Sequence, residues 1–291
     1  MPQSNTLLST DSKSSTDTTA GSSTGSYLIP RTLFSQMVMA NRKKLVLRAL
    51  AAKMIGPASI PGSSIDIPLQ TRNSMVTHRV PEGSVIGLDA EEYSGFNLKP
   101  YKYGVRISIT KEMEEDSMFD VMSMNVDTAG YELADNEEAL IIATLDTGSG
   151  QSTSTRVANS NATLPVSDIT AAMQGVEEEN FTPSHFVIGV EVANDIRNLS
   201  TFTEAHKAGI NDPSKRLIGT IFSMKVIVSK NVSAKYAYVL DANYAFIGAE
   251  KRPLTIERYF DAARDTDFAV ATQRIAYRYL RAGAIARIVT T

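Results

Sequence analysis

The chain has no cysteine, only three histidines, and no apolar run approaching the about 20 residues that span a bilayer. Without thiols, disulfides and thiolate metal sites are excluded, and nothing points to an oxidising compartment. His78, His185 and His206 stand apart from one another and from any second ligand at metal-binding spacing, so neither a metal nor another cofactor is expected. The N-terminus lacks the basic and apolar regions of a signal peptide, and the sequence reads as a soluble protein that starts inside the cell, without a membrane role. A net charge of −3 gives no global field toward nucleic acid or anionic lipid. Catalytic signatures are missing as well. There is no Gly-x-Ser-x-Gly elbow, no His-Glu-x-x-His helix and no dinucleotide glycine fingerprint, and the Gly148 to Thr155 run lacks the Lys-Ser or Lys-Thr of a phosphate loop. Neighbouring carboxylates such as Glu114-Glu115 or Glu177 to Glu179 do not face each other on a helix and read as solvated faces.

What is present is a globular composition, 43% hydrophobic and 21% charged over 291 residues, enough for one body with sub-lobes or two intimate lobes. Residues 1 to 26 differ: 14 are Ser or Thr, and after Met1 only Leu7, Leu8 and Ala20 are apolar. Such a segment cannot bury enough surface to offset its ordering entropy. Residues 1–29 are therefore expected to form a flexible arm that lies along partners. From Pro30 the spacing of Leu33, Met37, Ala40, Lys44, Leu47, Leu50 and Ala51 predicts a helix that Gly56-Pro57 ends. It carries Arg31, Arg42, Lys43, Lys44, Arg48 and Lys53 without an acidic residue, a face for solvent, for an acidic helix, or for packaged nucleic acid.

Period-2 alternation follows. Ile65, Ile67 and Leu69 make one arm of a predicted β-ribbon, and Tyr101, Tyr103, Val105, Ile107 and Ile109 the other. Pro68 confines the first arm to an edge. Arms of some 15 to 20 residues at about 3.3 Å each would reach roughly 50 to 60 Å, beyond a body whose radius of gyration is near ~19 Å. Between them Arg72 through Glu92, with His78, Arg79, Glu82, Gly83, Gly87 and Pro81, has the charges, turn residues and scattered apolar positions of a loop tip. His78 is expected in an ordinary polar contact.

At Thr110 the period becomes helical. Thr110 is a candidate N-cap, and Glu112, Glu114, Glu115 and Asp116 crowd the first turns, where the helix dipole favours carboxylates. Met113, Met118, Val121, Met124, Leu133, Leu140, Ile141 and Leu145 continue the pattern to Gly148, with a bend expected at Gly130. An α+β or α/β lobe follows: a helix capped by Ser167 or Asp168, a strand at His185 to Val190, a helix from Glu191 to about Phe202, a turn around Asn211-Asp212-Pro213, and strands at Met224 to Ser229 and Tyr236 to Leu240. The closing stretch from Leu254 is rich in strand formers. Arg252, Arg258, Arg264, Arg274, Arg278, Arg281 and Arg287 in this region suit carboxylate pairing with the acidic helix of the same or a neighbouring subunit.

This order of parts resembles the Hong Kong 97-type major capsid proteins of tailed phages. The sharpest local similarity is Val105-Arg106-Ile107-Ser108-Ile109-Thr110-Lys111-Glu112-Met113-Glu114-Glu115-Asp116-Ser117, like that family's strand-to-spine-helix junction. Leu217-Ile218-Gly219 with Lys225-Val226-Ile227-Val228-Ser229 is similar to a second family segment, although Ile221-Phe222-Ser223-Met224 stands where that pattern is shorter and carries proline. Tyr238 to Asp241, Tyr244 to Gly248 and Arg252 to Ile256 resemble a third. The resemblance covers about residues 30 to 291. It implies an α+β fold with an N-terminal helix over 30–56, an extended loop over 57–109, a peripheral domain from 110–164 and 251–291, and an axial domain over 165–250. It implies assembly with copies of itself, as pentamers and hexamers, into an icosahedral shell around double-stranded DNA. Scaffold, portal or decoration proteins are further partners, with a place in the virion after assembly in the host cytoplasm. The family's Lys-Asn cross-link is not carried over, since no Asn or promoting carboxylate is identified for Lys99 or Lys102. Assembly contacts are expected at Arg42, Lys43, Lys44, Arg48, Arg72, His78, Arg79, Glu82, Glu112, Glu114, Glu115 and Asp116. An encapsulin-type compartment on the same fold, and an α+β enzyme with an unrecognised site, are the alternatives.

Overall fold

The structure, a computed structural model, describes residues 46–70, 75–117, 121–151, 156–158, 163–198 and 219–290. The predicted arm, the predicted helix as far as residue 45, the end of the helix expected to reach Phe202, and the turn at Asn211-Asp212-Pro213 lie outside them. The chain divides into two units. Among the described residues one unit holds 106–117, 121–129 and 256–271, and the other holds the rest.

In the larger unit, strands β5 (Arg156–Ala158), β6 (His185–Ile188), β7 (Thr220–Ile221), β8 (Met224–Val228), β9 (Tyr236–Leu240) and β12 (Ile285–Val289) form a mixed six-stranded sheet in the order β5-β12-β9-β6-β8-β7. The inner strands read as unbroken apolar runs because both faces are covered. On one face Phe186, Ile188, Ala237, Val239, Ala286 and Ile288 pack with Ile169, Ala172 and Val176 of helix α3 (Val166–Glu178) and with Val192, Ala193 and Ile196 of helix α4 (Val190–Asn198). On the other, Val187, Tyr238, Leu240 and Ile285 meet Ile141, Ile142 and Leu145 of helix α2 (Val121–Gly150). Each such side chain removed from water contributes about 1.5–3 kcal/mol. Helix α2 ends close against the sheet: a Cβ at Gly148 would stand 2.8 Å from Tyr279 Cβ and 2.9 Å from Ile285 Cδ1, so only glycine fits. The N-cap of α3 is Pro165, and the expected caps Ser167 and Asp168 fall inside the first turn.

Two further corrections concern pairing and helix length. Ile65–Gln70 (β2) pairs antiparallel with Tyr93–Leu98 (β3), in the register Ile65↔Leu98 to Gln70↔Tyr93. The expected second arm, Tyr101–Thr110 (β4), belongs instead to a four-stranded sheet, β1-β10-β11-β4, with Met54–Ile55 (β1), Phe246–Asp261 (β10) and Thr266–Tyr279 (β11). The ribbon arms are thus six residues each, about 20 Å. The long helix breaks at Ser117, whose backbone is extended at φ −86° and ψ 139°, while Gly130 falls inside the continuous helix α2. Ahead of that break, helix α1 (Lys111–Asp116) begins at the expected cap, with Thr110 Oγ1 accepting from Met113 N at 3.4 Å.

The departure at Ile221 to Met224 has a simple form. Ile221 pairs with Met224, and Phe222 and Ser223 make a two-residue turn at φ 46° and 67°.

Candidate assembly surfaces

The ribbon's base is anchored. Leu98, Ile55, Ile60, Ile247 and Ala249 are buried together, with Ile65, Ile67 and Phe96 packed on them. Arg281 donates to Gln70 O, and the Arg278 guanidinium lies 5.1 Å from the Phe96 ring centroid. Beyond the base the environment changes. Every residue from Pro81 to Ala90 is exposed, and the loop presents Val85 at 93%, Ile86 at 74% and Leu88 at 100% exposure, with Met75 and Val76 earlier in the loop also exposed. The loop nevertheless has internal order. His78 Nε2 lies 3.2 Å from Asp89 Oδ2, which also accepts from Val76 N at 3.3 Å, and Ser84 N donates to Pro81 O at 3.1 Å across a turn where Gly83 has φ 80°. His78 therefore makes the polar contact expected of it. Arg79 and Glu82 are exposed, and Arg72 lies outside the described residues.

At α1, Lys111 Nζ sits 2.6 Å from Asp267 and 2.7 Å from Glu114, and its amide donates to Asp265 O. The hydrogen bonds to Asp267 and then Glu114 hold its ammonium group well above the usual lysine range. Glu114 is thus engaged locally, whereas the side chains of Glu112, Glu115 and Asp116 are directed to an exposed surface. In the same unit Arg106 covers the Phe268 ring at 4.1 Å, and Phe268 stacks on Tyr259 at 5.0 Å.

Of the basic cluster, Arg42, Lys43 and Lys44 lie outside the described residues. Arg48 is held within the subunit, 3.0 Å from Glu137 and bonded to Glu250. Glu137 also accepts from the Tyr277 hydroxyl, whose ionisation burial and that bond push well above the usual range. Next to it, Glu138 is 3% exposed and accepts from Val46 N at 2.5 Å, Leu47 N at 3.1 Å and Ser229 Oγ at 3.1 Å. It thereby supplies acceptors to the N-terminal end of the 3₁₀ turn Leu47–Leu50. Sequence reasoning missed both glutamates. The available signal was their place on the buried stripe of α2, Glu137 four residues from Leu133 and from Ile141, and Glu138 four residues before Ile142.

The closing arginines divide. Arg287 does pair with the long helix, at Asp146. Arg274 donates to Pro100 O, Arg281 to Gln70 O and Arg252 to Thr272 Oγ1, so for these three backbone carbonyls and a hydroxyl replace the expected carboxylates. A further ion pair joins Asp135 to Lys230 at 2.9 Å, with Asn231 Nδ2 at 2.8 Å. Burial alone would raise the Asp135 carboxyl, but Lys230 and Asn231 outweigh it and hold it below the usual carboxylate range. Among the described residues no helix is long and apolar enough to cross a membrane, and no group of three or more His, Asp or Glu side chains gathers as a metal site.

The model of the family described as phage capsid protein matches residues 96–288. The chain is similar in fold to the capsid structure of the cyanophage P-SCSP1u, with a TM-score of 0.74 at 14% identity over 91% of this chain and 94% of that one. For a structure from Mycobacterium phage Che8 the TM-score is 0.71 at 14% identity, over 89% and 96%. For the capsid of a native GTA particle it is 0.69 at 15% identity, over 94% and 98%. No curated protein matches. The family match spans about two thirds of the sequence, from the ribbon's second strand through the long helix and both lobes of sheet, and on that ground the chain belongs to the phage capsid protein family, with the Hong Kong 97-type fold, as a major capsid protein of the shell.

Proposed function

We propose that copies of this chain assemble as pentamers and hexamers into the closed icosahedral shell of a tailed virus, around double-stranded DNA held without sequence readout. In this reading assembly takes place in the host cytoplasm, with scaffold, portal or decoration proteins as further partners, and the subunit's role is structural and not catalytic. Residues 1–29 serve as an arm, 30–45 as the N-terminal helix, which gives way to the 3₁₀ turn Leu47–Leu50 and β1 where the sequence predicts helix to 56, 57–109 as the extended loop, 110–164 and 251–291 as the peripheral domain, and 165–250 as the axial domain.

The observation that carries this reading is the loop. Val85, Ile86 and Leu88 are almost wholly exposed on a loop whose base is firmly packed. Contiguous exposed apolar side chains mark an interaction surface, and a two-stranded ribbon is marginal until something covers it. A neighbouring copy completes it, and repetition of that contact by rotation closes a shell. Arg79, Glu82, Glu112, Glu115 and Asp116, together with Arg42, Lys43, Lys44 and Arg72, form the polar rim of such contacts, with His78 shaping the loop and Arg48 and Glu114 acting inside the subunit. Rim charges are individually weak and screened by salt, so assembly slows as ionic strength rises.

Replacing Arg72 to Glu92 by a short Gly-Ser turn tests the reading. Circular dichroism and thermal melting of the variant are expected to stay near wild type, while electron microscopy finds no normal shells. Normal closed shells from the variant would remove the loop from the assembly contact.

A further inference from the structure

The turn at Phe222 and Ser223 is built from the wrong residues for its shape. Two-residue hairpin turns with both central φ positive favour Asn and Gly, because a larger side chain brings its Cβ against the backbone carbonyl. Here an aromatic residue takes the first position at φ 46° and serine the second at φ 67°. Among the described residues nothing rewards the choice fully. The Phe222 side chain is 47% exposed, and among the described residues no other ring or cation stacks on it.

Its location adds a second observation. In the order β9-β6-β8-β7, β7 is the edge strand among the described residues and only two residues long. Register places His185 opposite Lys225 on β8 and opposite Leu240 on β9. The Phe222 turn and the residues that follow Leu240 therefore lie at the same end of the sheet. One of those residues is Tyr244, 49% exposed, its ring 5.5 Å from Phe181. This end of the sheet therefore carries two half-exposed aromatic residues, Phe222 and Tyr244.

We infer that Phe222 is an anchor at a contact between copies of this chain, and that the strained turn persists because the ring is buried against a second copy at this end of the six-stranded sheet. The inference rests on the capsid function. In a shell made of one repeated subunit the partner of a recurring surface is another copy of the same chain, and aromatic side chains with a pocket to fill are the residues that dominate such contacts. Backbone strain retained at an exposed position is the mark of a site held for use and not for stability.

The experiment uses the full chain. Phe222→Gly and Phe222→Asn both accept a left-handed backbone, so the Tm of the unassembled subunit is expected to hold or to rise by roughly 2–4 °C. The subunit concentration needed for shell formation is expected to increase at least tenfold. A second measurement exploits the absence of cysteine. Ser223→Cys keeps the aromatic ring and places a single thiol beside it, which a maleimide should modify at least tenfold more slowly in shells than in free subunits. Shells from Phe222→Gly that form at the wild-type concentration, or equal thiol modification in shells and subunits, would overturn the anchor. Loss of shells from the wild-type chain itself would instead count against the capsid function, which keeps the two failures distinct.

Discussion

The strands β6 and β9 and the loop over 75–92 both contain runs of Val, Ile and Leu, yet their fates are opposite. Phe186, Val187, Ile188, Val239 and Leu240 are at 0% exposure between two helical layers, whereas Val85, Ile86 and Leu88 lie between 74% and 100%. The difference is not in hydrophobicity but in what the backbone around each run can pair with. The sheet strands have neighbours on both sides and helices on both faces. Among the described residues the loop is held by contacts of its own, His78 and the Val76 amide to Asp89 and the Ser84 amide to Pro81 O. An apolar run that its own chain leaves uncovered belongs to the assembly, and one that is covered belongs to the fold.

This contrast can be broken or sharpened by substitution, in order of effect on the isolated subunit. Phe186→Ala opens a cavity at a fully buried position and is expected to cost about 3–5 kcal/mol in denaturant unfolding. A cost below about 1 kcal/mol would mean that Phe186 is not closely packed in the layer between the sheet and helices α3 and α4. Glu138→Ala strips acceptors from the Val46 and Leu47 amides and from Ser229, with an expected loss of about 1–3 kcal/mol and faster proteolysis near residue 46. Glu138→Gln, which keeps an acceptor, should lose less. Asp135 gives a smaller, pH-dependent effect. Its carboxyl titrates lower in the folded chain than in the unfolded one, so its contribution is present at neutral pH and disappears as pH falls through the folded value. The Tm gap between Asp135→Asn and wild type should therefore shrink on acidification; a gap that widens would contradict the sign. Smallest of all is the triple change Val85→Ser, Ile86→Ser, Leu88→Ser, expected within about 0.5 kcal/mol of wild type in the subunit. Electron microscopy of the same variant should nevertheless find no shells.

Much of the fold was legible because burial on both faces leaves unbroken apolar strings, as at Tyr236–Leu240, and because Thr110 followed by carboxylates is a plain helix start. Tyr93–Leu98 was not legible. Its Ser, Gly and Asn are poor strand formers, and it is a strand because Gly95 sits opposite Pro68 in a register set by β2. Gly130 misled in the other direction. A glycine costs about 1 kcal/mol in a helix, less than the burial of Ala129 and Leu133 on either side of it returns. The helix breaks instead at Ser117, whose backbone is extended after α1. At the candidate surfaces, the charges of α1 were visible, but the partners of Arg48 were not, since Glu137 and Glu250 come from remote parts of the chain. Nor does a pattern such as Val85-Ile86-Gly87-Leu88 declare from sequence alone whether it faces inward or outward.

The position of β12 carries a consequence for biosynthesis. Arg287 pairs with Arg156 and Ile285 with Leu240, so β12 is inserted between β5 and β9 in the finished sheet. About 130 residues separate β5 from the strand it must pair with, and at translation rates of about 5–20 residues per second that interval lasts roughly 7–26 s. Until Ile285 to Val289 leave the ribosome, β9 keeps an open edge and β5 has no partner in the sheet. The sheet of the lobe that carries the Phe222 turn is therefore completed only once β12 has been made.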